Sequence, residues 1–126
     1  MRLLLDTHIF LWWLADAPAL PRKAREAISD GHNWVYVSAV SAWEISVKKS
    51  LGKLQAPGNI ADIVEQERFL KLPITLVHGE VAGQLPAHHR DPFDRMLIAQ
   101  AQCEGLALVT VDNRLTQYEV AILPIT

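Results

Sequence analysis

The chain carries one cysteine, Cys103, so it can form no intramolecular disulfide and must hold its fold by packing, as suits a reducing compartment. The apolar neighbours of Cys103 predict a buried, structural thiol. A strong excess of either charge is also missing. Twelve Lys and Arg against 14 Asp and Glu leave a formal net charge of -2, which excludes nucleic-acid binding by bulk charge and confines any such contact to local patches. No uninterrupted apolar run approaches the roughly 18 residues of a membrane span. Arg2, the apolar residues after it and Ala15-Asp16-Ala17 imitate a secretion signal only faintly, because Asp6 and His8 break the run. The expectation is a soluble, cytoplasmic protein. Repeats and low-complexity stretches are absent too, and 50% hydrophobic with 21% charged residues is a globular composition. At 126 residues the expectation is a single domain, 1–126, with one core.

What is present is an alternation of strand-like and helix-like segments. Leu3 to Leu5 reads as a short strand closed by Asp6, and His8 to Leu14 as a helix apolar nearly all round. Pro21 suits the first turn of a helix from Arg22 to Ser29. Trp34 to Ser38 is rich in β-branched and aromatic residues and predicts a strand, after which Ala39 to Leu51 turns helical until Gly52. A helix from Ile60 to Leu70, a small strand from Pro73 to Val77 and a short helix from His78 to Leu85 follow. Asp91-Pro92 opens a helix through Cys103, stopped by Gly105. Leu106 to Val111 predicts a buried strand finishing at Asp112, and Ala121 to Leu123 a last short one. This order implies an α/β fold with a mostly parallel central sheet flanked by helices on both faces. In such sheets sites form beyond the carboxyl ends of the strands.

Four acids fit that rule or share an apolar helix face. Asp6 and Asp112 each follow the last apolar residue of a predicted strand, although either would also serve as a helix N-cap. Glu44 falls on the stripe Val40, Glu44, Val47, Leu51, with Lys48 one turn later as an ordinary pairing partner if the helix faces outward. Asp94 shares a face with Leu97, Ile98 and Ala101, whereas Asp91 before Pro92 reads as the helix cap. Trp43 is expected in the core. Ionised carboxylates are costly inside a protein, so four together imply a compensating cation. Oxygen-only ligands suit magnesium or manganese, hard ions that keep waters and meet phosphates, and such a pocket can hydrolyse a phosphodiester in line. Zinc would call for His or Cys at ligand spacing, and the adjacent pair His88-His89 in a polar loop suits solvent or phosphate better. Thr110 would present its hydroxyl on the same strand side as Asp112, to a ligand carboxylate or to water. Arg90, Arg95, His88, His89, Lys48, Lys49 and Lys53 surround the acids in sequence and would steer a phosphate backbone, or simply form a solvated face.

Leu5-Asp6-Thr7-His8, Ser41-Ala42-Trp43-Glu44-Ile45, the run from Asp91-Pro92-Phe93-Asp94-Arg95 to Ala99, and Val109-Thr110-Val111-Asp112 together resemble the PIN-domain ribonucleases, especially the VapC-type toxins of bacterial toxin–antitoxin pairs. Each motif is weak alone, and four in the family's order are specific. The resemblance implies a PIN-like three-layer sandwich in which Asp6, Glu44, Asp94 and Asp112 form the metal site and Thr110 supports it, with Asp91 beside Asp94 also able to reach a metal in this arrangement. It further implies magnesium- or manganese-dependent cleavage of RNA to a 5′-phosphate and a 3′-hydroxyl, a homodimer, and inhibition by a cognate antitoxin. Phe10, Leu11, Trp12, Trp13 and Leu14 exceed one buried stripe, and offer either a partner surface or a fully covered core helix. A phosphorylation-dependent receiver is the alternative from another class. It would want paired acids after the first strand, an acid where Ser38 stands and a late Lys, none of which is here. A PIN-like nuclease acting on structured DNA is the second alternative.

Overall fold

The computed structural model describes residues 1–125. Four strands, β1 (Arg2–Leu5), β2 (Trp34–Ser38), β3 (Leu70–Leu72) and β4 (Ala107–Val109), form one sheet in the order β3-β2-β1-β4. Every pairing in it is parallel. The helices are α1 (Thr7–Leu14), α2 (Arg22–Ser29), α3 (Ala39–Ser50), α4 (Ile60–Gln66), α5 (Leu76–Gln84) and α6 (Pro92–Glu104), with a 3-10 turn at Asn113–Gln117. The chain steps outward from β1 to β2 to β3, then crosses back to place β4 on the other side of β1. The crevice where the order reverses therefore opens beyond the carboxyl ends of β1 and β4, the place where open parallel sheets bind ligands.

Side chains alternate across the sheet and so feed two cores. Leu3, Leu5, Val35, Val37 and Val109 face one core with α1, α2 and α4; Leu4, Leu108 and Leu72 face the other with α6. Helices thus cover both faces, which is why the strands read as near-continuous apolar runs rather than alternating ones. Gly105 ends α6 at φ 66 and ψ 39, a left-handed position that a side chain would strain.

Several sequence expectations change. The helix expected to reach Leu70 ends at Gln66, because Arg68 takes φ 61 and turns the chain so that Phe69 enters the core. The small strand is Leu70–Leu72, not Pro73 to Val77, and α5 starts at Leu76 through a capping box in which Thr75 and His78 exchange hydrogen bonds. The strand before Asp112 stops at Val109, and Ala121 to Leu123 contributes only a bridge from Ile122 to Leu108. Cys103 is exposed rather than buried, on the outer side of α6. Trp43 is 56% exposed rather than core, its ring edge-on to Phe93 at 4.8 Å between centroids.

The aromatic surplus of α1 resolves towards covered packing. Phe10 is fully buried, and Leu11, Trp12, Trp13 and Leu14 are partly buried against the first core, with Trp13 also donating to Glu67 at 3.0 Å. The bare apolar surface lies elsewhere: Leu76 is 87% exposed, and Val77 and Ile74 beside it are exposed too.

Candidate active site

Asp6 follows the last residue of β1 and precedes α1. Its backbone still belongs to the sheet, since its N–H donates to Val109 O at 3.0 Å, and its carbonyl accepts from Phe10 N to start α1. Its side chain makes no cap bond, which leaves the carboxylate for the pocket. It is only 5% exposed and accepts a hydrogen bond from Thr110 Oγ1 at 2.7 Å. Burial pushes its pKa up, against the Thr110 bond that lowers it, and nearby Glu44 adds to the rise. Thr110 also accepts from Asp112 N at 3.0 Å, so one hydroxyl ties the end of β1 to the chain leaving β4.

Glu44 arrives from α3, whose start is fixed by Ser38 capping Val40 N and by Thr7 Oγ1 donating to Ser41 Oγ at 2.9 Å. It is 3% exposed. The acid is buried rather than turned outward, and Lys48 Nζ pairs with its Oε2 all the same. The other oxygen, Oε1, is buried with no hydrogen-bond partner among the described residues. A bare carboxylate oxygen in a protein interior costs on the order of 1–3 kcal/mol or more, so it marks a place for a ligand.

Asp91 caps α6, accepting from Phe93 N at 2.8 Å and Asp94 N at 3.3 Å, as the sequence predicted. Asp94, one turn in, faces His89, whose Nε2 lies 2.7 Å from Asp94 Oδ2. Burial, with the negative charges of Asp6, Asp91 and Glu44 behind it, pushes the Asp94 pKa from 3.8 up to about 6, although the His89 bond opposes the shift. Asp112 takes the capping role that Asp6 does not: it accepts from Arg114 N at 2.9 Å and from the Arg114 guanidinium at 3.0 and 2.7 Å. That guanidinium holds the Asp112 pKa below its usual value.

His89, Asp94 and Asp112 each offer one ligand atom within 4.8 Å of the others, and so could share an ion. Asp6 and Glu44 stand outside that group yet close enough to act electrostatically on Asp94. The donor set fits a divalent cation: carboxylates that resist ionisation and an unpartnered buried oxygen are what a positive ion would relieve.

Some basic residues lie where phosphate steering is not their task. Arg95 donates to the carbonyls of Pro86, His89, Ala82 and Leu85 and so clamps the loop before α6, while Lys48 is committed to Glu44. Arg90, His88 and Lys53 remain exposed. His89 is the residue that sequence reasoning undervalued. The polar loop around His88-His89 suggests solvent or phosphate as its partner, whereas it is 8% exposed and in contact with Asp94. The available signal was its place just before the Asp91-Pro92 helix start that carries Asp94.

Comparison with known proteins follows the same outline. The PIN domain family profile matches residues 3–121. Ribonuclease VapC22 of Mycobacterium tuberculosis is 30% identical over 118 residues, covering 91% of this chain and 90% of its own length. Among solved structures, VapBC2 from Rickettsia felis bound to a DNA fragment from their promoter superposes with a TM-score of 0.71 at 16% identity, covering 98% of each chain. FitAcB from Neisseria gonorrhoeae gives 0.65 at 20% identity, covering 97% of this chain and 96% of its own. The two structures support the fold, and the sequence relative supports more than the fold.

Proposed function

The chain belongs to the PIN-domain family, and from that premise we propose that it is a divalent-metal-dependent endoribonuclease, the toxin of a toxin–antitoxin pair. The observation that carries the reading is the burial of Asp6 and Glu44 within electrostatic reach of Asp94, which His89 and Asp112 also approach, with Glu44 Oε1 buried and unpartnered among the described residues. These four acids would hold the ion, which is magnesium or manganese by the hardness of its donors. When bound, the ion supplies positive charge to a phosphodiester and makes water a better nucleophile.

The chain's own residues do the remaining work. Thr110 holds Asp6 towards the crevice through its 2.7 Å bond and keeps that carboxylate from turning to cap α1. Lys48 neutralises one Glu44 oxygen and leaves the other, buried and without a hydrogen-bond partner among the described residues, for a ligand. Burial keeps water from Asp6 and Glu44, so charge interactions there are stronger than at the surface. Arg90, exposed at the entrance to α6, is available to draw in the phosphate backbone. A cytoplasmic site of action fits an RNA substrate, and among the described residues no helix is long and apolar enough to cross a membrane. A cognate antitoxin and a second copy of the chain are the protein partners in this reading. Exposed Ile74, Leu76, Val77 and Trp43 leave apolar surface suited to protein contact.

The test is cleavage of end-labelled RNA by purified, antitoxin-free protein. Magnesium or manganese should support cutting to 5′-phosphate ends, and a chelator or Asp6→Asn should abolish it while circular dichroism stays native. Cleavage that survives both treatments would overturn the metal-site reading, and preference for structured DNA over RNA would overturn the substrate.

A further inference from the structure

We infer that His89 is a nitrogen ligand of the ion in this pocket, and that the pocket therefore favours manganese over magnesium. The inference rests on the reading of the acidic crevice as a divalent-ion site, and it adds a residue and a selectivity to that reading.

The first observation is where the imidazole lies. It is nearly buried, its Nε2 is 2.7 Å from Asp94 Oδ2, and a ligand atom from each of His89, Asp94 and Asp112 falls within 4.8 Å of the others. Two neighbouring ligands of an octahedral ion with bonds of roughly 2.1 Å stand about 3 Å apart, so the His89–Asp94 spacing already resembles one edge of such a shell.

The second observation is how firmly the fold holds that residue. His89 N donates to the Tyr118 hydroxyl at 2.9 Å, and that hydroxyl donates in turn to Pro86 O at 2.9 Å. From the other side Arg95 reaches His89 O at 3.2 Å and three more carbonyls of the same loop and of the end of α5. The loop is thus pinned by an aromatic hydroxyl and a guanidinium, both fully employed, around one imidazole. Ligands held in place before the ion arrives bind it at less entropic cost, and this is how functional shells are supported.

The chemistry then decides the ion. Magnesium demands oxygen and gives up its waters reluctantly, whereas first-row transition ions accept imidazole. One imidazole among carboxylates falls short of the two or three histidines of catalytic zinc sites, and of the two ions that suit these carboxylates, magnesium and manganese, manganese is the one that accepts a nitrogen donor.

The experiment uses the full-length chain freed of partner, titrated with manganese chloride and followed by electron paramagnetic resonance, with pulsed measurement of nitrogen coupling. Expected are bound manganese with a directly coordinated nitrogen, a switch of that coupling to the other isotope when only histidine is labelled with heavy nitrogen, and its loss in His89→Gln. Manganese affinity should fall on the order of 10-fold or more in that variant, while magnesium affinity measured by competition barely changes. Isotope labelling requires no mutation, so the proposal stays testable even where His89→Gln fails to fold. Manganese bound without nitrogen coupling, yet lost in Asp6→Asn, would overturn the role of His89 and leave the acidic pocket standing. No manganese binding at all would overturn both.

Discussion

Asp94→Asn should make the metal-free protein more stable at neutral pH, and the gain should vanish in acid. The folded chain raises the Asp94 pKa from 3.8 to about 6, chiefly by burial and then by neighbouring acids. Two units at about 1.4 kcal/mol each amount to roughly 3 kcal/mol, and access of solvent to the rim of the pocket lowers this to roughly 2 kcal/mol. The sign follows from proton counts. Between pH 4 and 6 the folded state binds more protons at Asp94 than the unfolded state does, so stability is full below the unfolded pKa and is lost as pH rises through the folded one. Asn cannot ionise, still offers His89 a polar partner, and escapes the loss. Urea denaturation in the presence of chelator at pH 4, 5, 6 and 7.5 measures the effect. The variant should gain roughly 2 kcal/mol at pH 7.5, or roughly 5–10 °C in melting temperature, and should approach the unsubstituted chain at pH 4. Asp6, also raised, contributes the same slope to both proteins, while Asp112, lowered by Arg114, acts with the opposite sign and mainly below pH 4. Adding manganese should reverse the ranking, because only the intact acid set gains about 2.7 kcal/mol at a hundredfold excess over Kd. An Asn variant that is less stable at pH 7.5, or whose gain does not change with pH, would refute the electrostatic account of the pocket.

Thr110→Val keeps the shape but removes the donor to Asp6 and the acceptor for Asp112 N, so unfolding free energy should fall by about 1–3 kcal/mol in denaturant titrations and RNA cleavage by roughly tenfold. Wild-type activity in the valine variant would show that Asp6 needs no such support. Lys48→Met leaves both oxygens of Glu44 without a cation; since the lysine is one-third exposed, the loss should be about 1–2 kcal/mol rather than the full cost of breaking a buried pair. Saturating divalent ion should restore more stability to that variant than to the unsubstituted chain, as read by thermal melts with and without metal.

Much of this protein is legible without coordinates, because its signals are local. Pro92 after Asp91 fixes where α6 begins, Gly105 where it ends, and the β-branched run from Trp34 to Ser38 can hardly be anything but a strand. The helix faces that carry Glu44 and Asp94 follow from helical phase alone, and with them the burial of the first acid and the partial burial of the second. Sequence misjudges the stretch from Leu70 to Val77, where a left-handed turn at Arg68 and a Thr75–His78 capping box leave little periodicity to read. It also puts Cys103 and Trp43 inside, since an apolar neighbourhood along the chain says nothing about which neighbours in space cover a residue.

The sequence by itself determined the inventory: alternating strands and helices, a core that needs cover on both faces, and four acids that ask for positive charge. Only the tertiary structure decided which carboxylates cap helices and which face the crevice. Asp6 and Asp112 carry the same strand-end signature, yet Thr110 turns the first inward and Arg114 claims the second. The tertiary structure alone also brought the Tyr118 hydroxyl to His89, and it alone buried one oxygen of Glu44 with no partner among the described residues. The physical reason is the crossover from β3 to β4. Helical phase and cap preference act over a few residues, whereas the contact of Thr110 with Asp6 joins positions 104 residues apart and exists only once β4 lies beside β1.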